Sequence, residues 1–195
     1  MTNTYRLFIA IELPDQIIQA LSTVQDQLRA ARPVRWTPKN HLHLTLQFLG
    51  DTPVTQVDPL VAALAHRLHG HAPFSLTATG LGVFPSLKRP RVIWVGLGGD
   101  LPGLTHLQAE VVKASQPLGF EPESRPFKPH LTLGRVNNRA GGGDYARLAA
   151  LIEQRQAALK PLGRFAVNRV SLIRSQLKPG GAVYTVLATV RLGQV

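Results

Sequence analysis

An α+β fold built from two related halves is the architecture that this 195-residue chain predicts. Three observations carry the prediction. The tetrapeptide HLTL stands at 43–46 and again at 130–133. Each copy is followed by a loop, a helical pattern and further strands. No stretch between them is long enough to serve as a linker. A spacing of about 87 residues is too long for a stacked solenoid unit and suits two lobes related by a pseudo-twofold axis. Residues 1–195 are therefore expected to form a single domain of two lobes.

Residues 5–13 (YRLFIAIEL) are β-rich and mostly apolar, which predicts a strand. Pro14 and Asp15 then open a helix in which Ile17, Ile18, Leu21, Val24 and Leu28 recur at helical spacing. After the proline-bounded segment 31–40 comes HLHLTLQFLG at 41–50, closed by Gly50-Asp51. Strict alternation along that strand puts His41, His43 and Thr45 on one face and gives Leu42, Leu44 and Leu46 to the core. Asp58 and Pro59 begin a second helix through Leu60, Val61, Leu64 and Leu68. Strands are expected at 73–84 and 91–97, joined by the basic loop PSLKRP, and a third helix follows Asp100 with Leu104, Leu107, Val111 and Val112 on one side. Pro129 leads into HLTLGRV at 130–136 and then a glycine-rich turn. Asp144 caps a helix through Leu148, Leu151 and Ile152, and strands at about 164–176 and 182–192 complete the chain.

Composition narrows the chemistry. With no cysteine there is no disulfide, thiol nucleophile or thiolate metal site, so any reaction falls to His, Asp, Glu, Ser, Thr, Lys or Arg. No apolar run reaches the roughly 18 residues of a membrane span, and the start MTNTYRLFIAIELP has no signal-peptide pattern. A cytoplasmic location without membrane attachment is expected. A formal charge of +11, with arginines spread along the chain, favours polyanions such as nucleic acid.

His43 and Thr45 emerge on one strand face, and His130 and Thr132 repeat them. A pseudo-twofold axis would bring two imidazoles and two hydroxyls to a common cleft, an arrangement suited to a phosphodiester. One neutral imidazole can take a proton from an attacking water while the other, protonated, gives one to the departing oxygen. Threonine hydroxyls and a nearby arginine can stabilise charge on the nonbridging oxygens. Neither metal nor cofactor is needed. A lone His-x-Thr would mean little; two identical copies in a chain with seven histidines mean much more. His41 makes a His-x-His pair with His43 that could begin a metal site. The second copy has Lys128 in that place, which leaves His41 as a rim residue. His66, His69, His71 and His106 suit helix ends or helix surface, and the GGG at 141–143 lacks the lysine of a phosphate loop and reads as a turn.

The segments RLFIAIELP (6–14), HLTLQFLGD (43–51), GVFPSLKRPRVIWVGL (82–97) and FKPHLTLGRV (127–136) together resemble the two-histidine phosphoesterases, and within them the RNA 2',3'-cyclic phosphodiesterases, also called 2'-5' RNA ligases. The resemblance implies a bilobal fold of two antiparallel-rich sheets with helices outside and a central cleft. It implies hydrolysis of a terminal RNA 2',3'-cyclic phosphate to a 2'-phosphate, with His43 as proton donor and His130 as the base that activates water. Thr45 and Thr132 would hold the phosphate, and Arg135 matches the family's arginine shortly after the second motif. Sequence spacing alone leaves the two proton-transfer directions open.

Phe48 and Trp36 are candidates to stack on a terminal base, or else core aromatics, with the core favoured for Phe48. Arg35, Lys88, Arg89 and Arg91 are candidate contacts to the RNA backbone. The expected partner is RNA with a cyclic phosphate end, tRNA halves among them, bound by a monomer. Two rivals stay open: a module that only holds such RNA ends, and a 2'-5' ligase that runs the same chemistry in reverse.

Overall fold

The computed structural model describes residues 3–30 and 34–193; the first three residues of the proline-bounded segment lie outside them. In chain order the elements are β1 (Thr4–Glu12), α1 (Asp15–Gln27), β2 (Val34–Trp36), β3 (His43–Pro53), α2 (Val57–Leu68), β4 (Phe74–Phe84), β5 (Val92–Gly99), α3 (Leu101–Ser115), β6 (Leu131–Val136), α4 (Gly142–Ala158), β7 (Gly163–Val167), β8 (Arg169–Lys178) and β9 (Gly181–Arg191). They form a four-stranded sheet of order β3-β1-β8-β9 and a five-stranded sheet of order β2-β6-β5-β4-β7, with every paired strand antiparallel. This is the α+β architecture of two antiparallel sheets that the sequence predicts.

Helices cover one face of each sheet, and β1 is buried on both faces, with Phe8 and Ala10 in a small second cluster on the side away from the main core. In β1, Leu7, Ile9 and Ile11 face inward, and the leucines at α-helical spacing in α1 to α4 close over such faces. Helices α2 and α3 pack on each other and on β9 and β3, whereas α1 covers β7 and α4 covers β4. Helix α1 therefore leaves the end of β1 in one sheet and packs on the other. One contiguous cluster of buried residues draws on both sheets and all four helices. Asp100 accepts the Gly103 N–H at 2.8 Å to cap α3, the helix expected to follow it.

Several expectations are corrected. His41 is not on the strand: Lys39–His41 is a single 3₁₀ turn in which the His41 N–H donates to the Pro38 carbonyl, and β3 starts at His43. The glycines 141–143 are not a free turn; Gly141 precedes α4, and Gly142 and Gly143 form its first turn. Asp144 lies inside α4 and accepts the Gly141 N–H at 3.0 Å. The strand expected over 164–176 is two strands parted at Asn168, with β7 pairing β4 in one sheet and β8 pairing β1 in the other. Periodicity reports strand conformation but not the identity of the neighbour, so a change of sheet within one extended run leaves no mark in it. The short strand β2 had no such run and was not expected.

Candidate active site

Strand β3 carries the first HLTL copy and β6 carries the second from Leu131 onward, with His130 immediately before it, and the two strands come into contact where the two sheets meet. Each has a β-bulge at the same place in its motif. On β3, Gln47 pairs with Ile9 and Thr45 with Ala10, which leaves Leu46 unpaired. On β6, Gly134 pairs with Ile93 and Thr132 with Trp94, which leaves Leu133 unpaired. A bulge inserts one residue and reverses the alternation beyond it. Leu46 and Gln47 are consequently both buried and Phe48 is exposed; Leu133 and Gly134 are both buried and Arg135 is exposed. Strand β3 thus presents His43, Thr45 and Phe48 on a single face, and β6 together with the residue before it presents His130, Thr132 and Arg135.

Phe48 is 56% exposed, which overturns its expected place in the core. Strict period-two counting assigns it to the leucine face; the extra residue at Leu46 turns it to the histidine face.

The two imidazoles are held alike. His43 Nδ1–H donates to the His41 carbonyl at 2.8 Å, and His130 Nδ1–H donates to the Lys128 carbonyl at 2.7 Å. A carbonyl can only accept, so Nδ1 carries the proton in both rings and Nε2 of the neutral ring is left as an acceptor. Positions 41 and 128 therefore matter through their backbone, which is why the repeat tolerates His in one copy and Lys in the other. Nε2 of His43 accepts from the Thr45 hydroxyl at 3.0 Å. Both nitrogens of His43 are thus engaged, and the His41 ring stacks instead on Tyr184 at 4.2 Å, so the His-x-His pair does not offer converging metal ligands.

The surroundings of the histidines differ. Phe8 stacks on His43 at 4.8 Å between ring centres, and Tyr184 meets it edge-on at 5.6 Å. Tyr184 belongs to β9 and His43 to β3, the two opposite edges of their sheet, so that sheet curls until its edges meet over the ring. Burial pushes the His43 pKa down from 6.5 to about 4, against a smaller opposing effect of the His41 carbonyl. His130 is half-buried and forms a T-shaped pair with Phe84, at 5.1 Å between ring centres. Phe84 in turn packs on Trp94, the partner of Thr132 across the β5–β6 ladder.

The remaining expected residues fall into two groups. Arg35 is the ladder partner of Arg135, so two exposed guanidinium groups stand side by side next to the second motif. Trp36 is half-buried against Gly134, where a Cβ would lie 3.0 Å from its ring. Lys88 and Arg89 are exposed in the β4–β5 loop, and Arg91 is tied to Asn138 by a 3.0 Å hydrogen bond. Sequence reasoning missed Phe8, Tyr184 and Phe84, which are apolar or aromatic residues within strands and carry no motif. It also missed Gln25, a buried amide of α1 that donates to the Leu133 and Thr37 carbonyls, each at 2.8 Å.

Comparison with known proteins follows this geometry. The sequence model of the family described as LigT like phosphoesterase matches residues 11–94 and 100–184, one stretch around each HLTL. The chain is 34% identical over 188 residues to the RNA 2',3'-cyclic phosphodiesterase of Methanothermobacter thermautotrophicus, covering 96% of this chain and 98% of that protein. It is 37% identical to the protein of the same name from Thermus thermophilus, covering 93% and 87%. Among solved structures, E. coli LigT complexed with 3'-AMP superposes with a TM-score of 0.77 at 26% identity, covering 97% of this chain and 99% of that one. The Thermus thermophilus protein TT0787 superposes with a TM-score of 0.79 at 30% identity, covering 97% and 100%.

Proposed function

The chain belongs to the LigT-like phosphoesterase family, and from that premise we propose that the cleft between β3 and β6 opens a terminal 2',3'-cyclic phosphate on RNA, leaving a 2'-phosphate. It is an RNA 2',3'-cyclic phosphodiesterase, and the observation that carries the mechanism is the duplicated His-Thr face with its matched bulges and matched Nδ1 hydrogen bonds. The whole chain, 1–195, works as one catalytic domain of two lobes.

In this reading His43 and His130 stand on either side of the phosphorus with Nε2 turned to it. The 3'-oxygen is the leaving group; one imidazole gives it a proton while the other takes one from water. Thr45 and Thr132 donate to nonbridging oxygens, and Arg135 balances charge that grows on them, with Arg35 beside it. The resting His43 is the acceptor form, its Nε2 taking the Thr45 proton. To serve as donor, as the family resemblance implies, it must first gain a proton, and the arriving phosphate anion favours that by opposite charge while drawing the Thr45 hydroxyl to itself. Phe48 offers a ring to a terminal base on the His43 side, and Trp36, Lys88, Arg89 and Arg91 lie outside the reacting group. The protein acts as a cytoplasmic monomer, with tRNA halves among its RNA ends. Among the described residues no helix is long and apolar enough to cross a membrane.

Incubation with an RNA oligomer ending in a cyclic phosphate tests this. A 2'-monophosphate is expected; a 3'-monophosphate contradicts the assigned bond. His43→Ala and His130→Ala should each lower turnover by roughly 10² to 10⁴ while leaving the fold intact. Chelator should leave turnover unchanged.

A further inference from the structure

The face of the five-stranded sheet that bears Thr132, opposite its helix-covered face, continues well past that residue. Trp94 pairs with Thr132 and lies flat over Gly82 and Gly96, where added Cβ atoms would meet its ring at 2.4 and 3.3 Å. Beyond it on the same face come Gly96 paired with Thr79, then Gly98 paired with Thr77, and finally Arg164, the partner of Thr77 on β7. Gly80, with φ +73, bulges β4 and keeps Thr77 and Thr79 on this face while Leu76, Ala78 and Leu81 stay buried. From the flat indole to Arg164 the floor therefore has no large side chain. Strand spacing and rise put its length on the order of 20 Å.

At its far end lies a hollow of about 350 Å³ at the crossover between the sheets, lined by Glu12, Gln16, Arg164, Asn168 and Arg169 among others. Its two arginines come from different sheets, and among the described residues no carboxylate forms an ion pair with either. Arg169 stands directly opposite Arg191 across the β8–β9 ladder, a like-charge pair that weakens a sheet unless an anion sits with it. Glu12, the one carboxylate of the hollow, accepts from the Ser171 hydroxyl and is the ladder partner of His43. The hollow and the first histidine thus share a strand end.

We propose that this floor is the track of the single RNA strand leading to the cyclic end, and that Arg164 and Arg169 hold a backbone phosphate upstream of the reacting one. The inference rests on the proposed function and adds a subsite to it. A smooth glycine and threonine floor accepts a sugar-phosphate chain of any sequence, and guanidinium groups at its end grip phosphate without reading bases.

The test compares a mononucleotide 2',3'-cyclic phosphate with a single-stranded RNA oligomer ending in the same group. The variants are the double Arg164→Ala/Arg169→Ala and, independently, Gly98→Leu, whose Cβ would meet nothing closer than Thr79 Cγ2 at 3.4 Å. The double variant should raise KM for the oligomer roughly tenfold, leave the mononucleotide unchanged, and flatten the dependence of log KM on log salt by about one. Gly98→Leu should do the same, salt slope included, because a strand kept off the floor no longer reaches the arginines. Oligomer KM unchanged in both variants, or mononucleotide and oligomer affected equally, overturns the track. Binding of a 2'-phosphate-ended oligomer, read by fluorescence anisotropy, is measured alongside turnover. Wild-type protein that binds it, loses it in both variants and opens no cyclic end keeps the track and sinks the proposed function.

Discussion

His43 lies in closer aromatic surroundings than its counterpart in the second motif. Phe8 and Tyr184 keep water from its ring, and burial holds its pKa at about 4, against 6.5 when exposed. The folded chain therefore binds fewer protons than the unfolded one between those values. The resulting stability is complete above about pH 6.5 and is lost as pH falls through about 4. Denaturant titrations should give a lower stability at pH 5 than at pH 7, with a smaller difference in His43→Gln. Tyr184→Ala, by admitting water, should move the His43 titration seen by NMR upward toward 6.5; an unmoved titration would show that Tyr184 is not the wall described. In catalysis the free protein governs kcat/KM and the complex governs kcat. The limb belonging to His43 should lie higher in the kcat profile than in the kcat/KM profile, and coincident limbs would argue against proton uptake with the substrate.

Among the elements, the bulged strands do the positioning, and each bulge is backed by a buried side-chain hydrogen bond from a helix. Gln25 of α1 holds the carbonyl of the bulge residue Leu133, while Gln47, next to the bulge residue Leu46, accepts from Ser115 of α3 at 2.9 Å. Each supporting helix follows a strand of the other sheet. Gln25→Leu would remove the buried hydrogen bond to the Leu133 carbonyl and leave the half-buried Thr37 carbonyl without its partner, at a cost of about 1–3 kcal/mol in urea unfolding. Turnover should fall by up to about a hundredfold as Arg135 loses its aim. A variant equally destabilised but fully active would limit Gln25 to a packing role. The helices and most strands were legible because apolar residues recur with period 3.6 or 2. The bulges were not: an inserted residue is chemically an ordinary leucine, and only the partner strand reveals that it is unpaired.

For the molecule as a whole, the crossover at Asn168 binds the lobes into one unit. A single extended run supplies β7 to one sheet and β8 to the other, and the buried cluster is continuous through both. Unfolding should accordingly be one cooperative transition. Trp36 and Trp94 both lie in the five-stranded sheet, so tryptophan fluorescence reports that lobe and far-ultraviolet circular dichroism reports both. The two curves should coincide; separate midpoints would mean that the lobes unfold independently. The formal charge of +11 gives the whole molecule its attraction for polyanions, and the two sheets decide which arginines face the cleft.

The sequence by itself determined that there are two related halves, that His43 with Thr45 and His130 with Thr132 repeat one chemical unit, and that the chain resembles the two-histidine phosphoesterases. Repetition and side-chain alternation are properties of a line of residues, so they can be read along it. The tertiary structure alone decided that Phe48 faces solvent beside Phe8, that Tyr184 crosses from the opposite sheet edge to His43, and that Arg164 and Arg169 share a hollow. Those facts depend on register, curl and strand exchange, which arise only when distant segments pair and which leave local composition unchanged.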